Sequence, residues 1–158
     1  KEVLKVWFEH GVKPKNGSYA YMVFPSISEN ELKTIYEAGT PYEILSNTKD
    51  LQAVKNKDEN VVQAVFYQSG NLSLEKKLDL QMENAGIIML KLKRGKVESF
   101  SISDPTRKLT ELKFTLEGLY SLKDPDIKVI KNRKTKTSQF VVQMPKGVFS
   151  GKSLNFKL

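Results

Sequence analysis

Cysteine is absent from all 158 residues. Disulfides, zinc–thiolate clusters, iron–sulfur ligation and thiol nucleophiles are therefore excluded together. Histidine is nearly as scarce. His10 is the only one, which removes every two-histidine metal motif and leaves one candidate for imidazole acid–base chemistry. No G-x-x-x-x-G-K-[ST], G-x-G-x-x-G or G-x-S-x-G frame occurs, so phosphate-cradling and nucleophile-elbow readings fail. No apolar run approaches the ~18–20 residues of a membrane-spanning helix. The chain opens on Lys1 with no charged-then-apolar leader, and is expected to be a piece of something longer.

What is present describes a protein that folds. Hydrophobic residues make up 39% and charged residues 28%, with only nine Gly and six Pro, which is a soluble globular composition and not a disordered or collagenous one. The length allows one sizeable core or two small sandwiches. Lys and Arg outnumber Asp and Glu by 26 to 18, for a net charge of +8. That excess favours a polyanionic partner: nucleic acid, anionic lipid or acidic polysaccharide.

Apolar residues recur with period two in short runs broken by Gly, Pro, Asn and Asp, the pattern of antiparallel strands. In Leu109–Leu116 the inward set is Leu112, Phe114 and Leu116. Ile88, Leu90 and Leu92 alternate likewise against Met89, Lys91 and Lys93. Tyr19–Phe24 and Val61–Tyr67 are apolar on both faces and are expected to be central strands covered on each side. Turns are expected at 69–71, 93–96, Asp104-Pro105, Asp124-Pro125 and 145–147, where Gly, Pro, Asn and Asp supply the required backbone angles.

One segment departs from period two. Ser28 and Glu31 form a capping box, and Leu32, Ile35 and Tyr36 recur at helical spacing before Gly39, so a short helix is expected over Ser28–Gly39. The fold class is therefore mostly β: an antiparallel sandwich, with this helix linking an N-terminal hairpin (Val3–His10 with Ser18–Phe24) to the sandwich. A module boundary is placed between Gly39 and Asn47, giving units 1–45 and 46–158.

Candidate chemistry is thin. His10 has an acidic neighbour in Glu9, but adjacent strand residues point to opposite faces, so a structural or loop-anchoring role is expected for it. Asp79, Glu83, Glu98 and Glu111 read as solvated strand faces, not as a facing carboxylate pair. No catalytic or metal-binding residue is assigned, and no cofactor. The basic clusters are stronger. Lys91, Lys93, Arg94 and Lys96 bracket one hairpin, and Lys128, Lys131, Arg133, Lys134 and Lys136 crowd another. Of these, Lys91, Lys93, Arg94, Lys131, Arg133 and Lys134 are the candidate residues for contact with an anionic chain, and the candidate carbohydrate-binding residues if that chain is an acidic polysaccharide; the competing role is to keep sheet edges and turns soluble.

At Trp7-Phe8-Glu9-His10-Gly11, through Pro14 and Asn16-Gly17-Ser18-Tyr19-Ala20-Tyr21 to Pro25, the sequence resembles polysaccharide lyase family 8. Chondroitin AC and ABC lyases, hyaluronate lyases and xanthan lyases belong to that family. This stretch is similar to the last hairpin of its central β-domain. Downstream, Glu43-Ile44-Leu45-Ser46-Asn47-Thr48, Leu51-Gln52-Ala53-Val54, Ala64-Val65-Phe66-Tyr67 and Ser103-Asp104-Pro105-Thr106 are similar to its C-terminal β-sandwich.

The resemblance implies a parent with an N-terminal α/α toroid, a central β-domain and a C-terminal sandwich, of which this chain is the tail. It further implies an extracellular or periplasmic enzyme that breaks uronate-containing polysaccharide by β-elimination, with the reacting groups in the toroid. No segment here matches those toroid stretches, so the fragment itself is expected to be inactive. The expected partners are an acidic polysaccharide and the upstream domains of the parent, with neither nucleic acid nor membrane. An autonomous carbohydrate-binding module is the alternative. Nucleic-acid binding has the charge but lacks an RRM signature and a basic helix face.

Overall fold

A computed structural model describes Lys5 and residues 7–158. The chain divides into two units, Lys1–Thr40 and Pro41–Leu158.

In the first unit the helix is the regular element among the described residues. α1 spans Glu29–Ala38, and Ser28 caps it in the reciprocal manner expected: its side chain accepts from Glu31 N while the Glu31 carboxylate accepts from Ser28 N at 2.9 Å. The expected hairpin is corrected. Of its first strand, Val3, Leu4 and Val6 lie outside the described residues, and no strand is assigned to Trp7–His10 or to Ser18–Phe24. The chain does reverse there, since Phe8 stacks on Tyr19 with ring centroids 5.1 Å apart and lies 5.7 Å from Tyr21. Tyr19–Phe24 is not a covered central strand either: Tyr21 and Val23 are 67% and 74% exposed. Alternation supplies two apolar faces, but a strand also needs a neighbour to take its backbone hydrogen bonds.

The second unit is a sandwich. Its strands are β1 (Tyr42–Asn47), β2 (Leu51–Asn56), β3 (Val61–Phe66), β4 (Gly70–Glu75), β5 (Leu78–Met82), β6 (Gly86–Lys93), β7 (Lys96–Ser103), β8 (Glu111–Glu117), β9 (Ile127–Asn132), β10 (Thr137–Gln143) and β11 (Leu154–Lys157). The first sheet has the order β1-β2-β3-β6-β7-β11 and the second β4-β5-β8-β10-β9, with every pairing antiparallel. The expected division at 45/46 falls inside β1; the unit begins at Pro41.

The core lies between the sheets, where period two places it. Ile88, Leu90 and Leu92 from β6 face Leu112, Phe114 and Leu116 from β8, all buried. At the centre Phe114 and Phe140 stack 4.7 Å apart, and Phe100 meets both edge-on at 5.1 and 5.7 Å. Such pairs add about 0.5–1.5 kcal/mol beyond the area they bury. β3 is internal to its sheet, as expected, but covered on one face only: Val62, Ala64 and Phe66 are buried while Val61 and Val65 are half-buried and Gln63 is exposed. One layer of chain, not two, packs on that sheet.

Candidate functional site

Strand direction decides which turns meet. In the second sheet Leu116 pairs with both Leu80 and Ser138, so the C-terminal end of β8 lies beside the N-terminal ends of β5 and β10. The β4–β5 turn (Lys76, Lys77) and the β9–β10 turn (133–136) therefore share one end of the sheet. In the first sheet Lys91 pairs with Val61, and Val61 with Asn56. The β6–β7 turn (Arg94, Gly95) and the β2–β3 turn (57–60) accordingly share one end there.

Two links bring those ends together. Tyr120, just beyond β8, receives at its hydroxyl a hydrogen bond from Val97 N of β7 at 3.2 Å, while its own N–H donates to Ser138 Oγ of β10 at 2.9 Å. Burial pushes the Tyr120 phenol up, against the lowering effect of the Val97 hydrogen bond. The second link is an ion pair: Lys55 Nζ of β2 lies 2.5 Å from Glu75 Oε1 of β4, with side chains 12% and 30% exposed. Both sequence-predicted basic clusters thus stand at the same end of the sandwich, except for Lys128, which pairs with Val141 toward the other end of β9. Lys57, Lys76 and Lys77, which the sequence reading did not single out, join them.

Local chemistry shapes each turn. Arg94 (φ 53°) and Gly95 (φ 71°) both take positive φ, the requirement of the two-residue hairpin turn that matches strand twist. In the β9–β10 turn, Asn132 Oδ1 accepts from Lys134 N at 3.0 Å and Thr135 N at 3.2 Å. Asn56 does the same for Asp58 N and Glu59 N in the β2–β3 turn. These Asx turns hold the backbone and leave the basic side chains projecting into water.

The six predicted residues fall into two groups. Lys91 donates to the Glu59 carbonyl at 2.5 Å, with a carboxylate oxygen of Glu59 at 3.4 Å. Lys93 pairs with Glu98 at 2.7 Å; that hydrogen bond raises the lysine and lowers the glutamate from their ordinary pKa values. Lys131 donates to Ser121 Oγ. Arg94, Arg133 and Lys134, in the turns, are exposed and make no side-chain hydrogen bond or ion pair among the described residues.

The acidic candidates are placed as solvated faces. Glu111 pairs with Lys113 at 2.7 Å and Glu83 accepts from Gln139 Nε2 at 2.5 Å. His10 is exposed, with its ring 6.1 Å from that of Tyr19 and its Nδ1 3.3 Å from where a Cβ on Gly17 would sit. Among the described residues no group of three or more His, Cys, Asp or Glu is placed to hold a metal ion. No helix there is long and apolar enough to cross a membrane.

Comparison with known proteins gives this geometry a context. The C-terminal beta-sandwich domain of polysaccharide lyase family 8 matches residues 43–113, and the super-sandwich domain of the same family matches residues 1–36. The chain belongs to polysaccharide lyase family 8. Over 156 residues it is 31% identical to chondroitinase-AC of Pedobacter heparinus, covering 99% of this chain and 20% of that protein. Over 114 residues it is 32% identical to hyaluronate lyase of Enterococcus faecalis, covering 72% of this chain and 11% of that protein. A solved chondroitinase AC lyase, studied in complexes with oligosaccharides, superposes with a TM-score of 0.72 at 28% identity over 93% of this chain and 19% of its own. The chain therefore spans a fifth or less of the length of these lyases. It represents their C-terminal β-sandwich, together with a stretch assigned to the preceding super-sandwich domain.

Proposed function

We propose that this chain is the non-catalytic C-terminal region of an extracellular or periplasmic lyase that degrades uronate-containing polysaccharide, such as chondroitin sulfate or hyaluronan, by β-elimination. In that reaction the uronate carboxylate is neutralised, a base removes the C5 proton and an acid protonates the departing glycosidic oxygen. Upstream domains carry those roles. This region supports the walls of their cleft and attracts the polyanion with its basic end. The observation that carries the binding part is the convergence of two cationic clusters, one from each sheet, on one end of the sandwich.

Electrophoresis of the chain through native gels containing chondroitin sulfate or hyaluronan tests the attraction. Retardation is expected at low salt and its loss near 1 M, where the Debye length falls to ~3 Å. Unretarded migration at low salt would overturn it. Release of unsaturated uronate, followed by ultraviolet absorbance, tests the catalytic assignment: no turnover is expected from this chain, and robust turnover would overturn it.

A second reading, an autonomous carbohydrate-binding module, is favoured by the self-contained core of residues 53–156. The two readings separate on whether residues 41–158 alone retain the full affinity of a parent that carries its upstream domains.

A further inference from the structure

The two groups of cations at the basic end differ in what they already hold. Lys55, Lys91 and Lys93 stand on strands and each is matched with an acid, Glu75, Glu59 and Glu98 respectively. Lys131, also on a strand, is bonded to Ser121. The cations of the β4–β5, β6–β7 and β9–β10 turns, Lys76, Lys77, Arg94, Arg133, Lys134 and Lys136, are all exposed and make no side-chain hydrogen bond, ion pair or ring contact among the described residues; Lys57, in the β2–β3 turn, is exposed too but is followed directly by Asp58 and Glu59. A paired lysine must release one anion to take another and gains little, whereas an unpaired one gains a full contact.

Geometry groups these six cations into three corners. The β4–β5 and β9–β10 turns lie on one sheet, separated by about three strand spacings, ~14 Å. The β6–β7 turn belongs to the facing sheet, ~10 Å across the core. A single small anion reaches one corner. A polymer with a carboxylate on every second sugar reaches two or three at once, and each contact after the first is intramolecular.

We infer that the basic end is a three-cornered clamp for an extended acidic polysaccharide, in which the turn cations of β4–β5, β6–β7 and β9–β10 make the contacts and Lys91, Lys93 and Lys131 do not. The inference rests on the polyanion-attracting role proposed above and narrows it to particular side chains and to a polymer.

The test compares two variants of the chain that lose the same charge. One carries Arg94→Gln, Arg133→Gln and Lys134→Gln; the other carries Lys91→Gln, Lys93→Gln and Lys131→Gln. Affinity for hyaluronan oligosaccharides of increasing length is measured by calorimetry at fixed low salt, with glucuronate as the single-charge probe. The turn variant is expected to bind the long oligosaccharide at least about tenfold more weakly and the strand variant within about twofold of the parent sequence. Affinity is also expected to climb steeply with length, from no measurable binding of glucuronate.

Equal losses in the two variants would mean that only net charge matters, and would overturn the clamp while leaving polyanion attraction standing. A larger loss in the strand variant, or length-independent binding, would overturn it too. Absence of any binding by the parent sequence would remove both the clamp and the attraction. Should the strand variant lose its thermal transition, Lys131→Gln against Arg133→Gln gives the same comparison one charge at a time.

Discussion

Asp104 illustrates how a single side chain holds a connection in place. It is 2% exposed, in the segment between β7 and β8, and its two oxygens accept four hydrogen bonds: from Thr106 N and Oγ1, Lys108 N and Leu109 N, at 2.6–2.8 Å. Burial opposes its charge, and these donors outweigh burial, so its carboxyl is held below the usual carboxylate range. Because the folded pKa is the lower one, the group contributes stability above its unfolded value of about 3.9, and that contribution is lost as pH falls through the folded value. Asp104→Ala leaves three backbone N–H groups without their acceptor and is expected to cost about 3 kcal/mol in urea unfolding at pH 7. The gap between the two proteins should narrow below pH 4. An Asp104→Ala protein as stable as its parent at pH 7 would show that the loop is held by something else.

At the scale of elements, Tyr120 ties the two sheets together at the basic end. Tyr120→Phe keeps the ring, which lies 6.0 Å from Phe140, and removes the only part that reaches Val97 N. A buried donor left unpaired costs about 1–2 kcal/mol, so the urea midpoint should fall by a corresponding amount while circular dichroism is unchanged. A midpoint identical to that of the parent sequence would mean that Val97 N finds water instead.

The same element shows where sequence reading succeeds and where it stops. Ile88, Leu90 and Leu92, and Leu112, Phe114 and Leu116, were legible because period two alone determines which side chains face inward. The Ser28–Glu31 box was legible because its partners are three residues apart. The basic end was half legible. Composition and turn chemistry pointed to Arg94, Arg133 and Lys134, but Lys91 meets Glu59 across a separation of 32 residues, and nothing local marks that pair. That the two clusters meet depends on Tyr120, whose only local sign is an aromatic two residues after Gly118 among turn residues. Topology, not spacing, joins them.

Considered whole, the chain concentrates its core in one of its two units. Every buried apolar residue of the core cluster lies between Ala53 and Phe156, and the flanking half-buried ones extend it only to Leu45 and Leu158. α1 has no buried residue, and Trp7, Tyr21 and Val23 keep most of their surface exposed. This is also why residues 7–10 and 18–24 form no strand here. Their apolar alternation is real, but residues 1–36 match a different domain of the family from residues 43–113, and alternation does not reveal which sheet a strand completes. Independent folding follows from a core that closes on itself. Residues 41–158 expressed alone should therefore unfold in urea in one cooperative transition, with a free energy within about 0.5 kcal/mol of the 158-residue chain, as expected when surface features away from the core are altered. They should also keep the chain's affinity for long hyaluronan oligosaccharides, since all three turns of the clamp are retained. A loss of several kcal/mol on removing residues 1–40 would show that the first unit stabilises the sandwich.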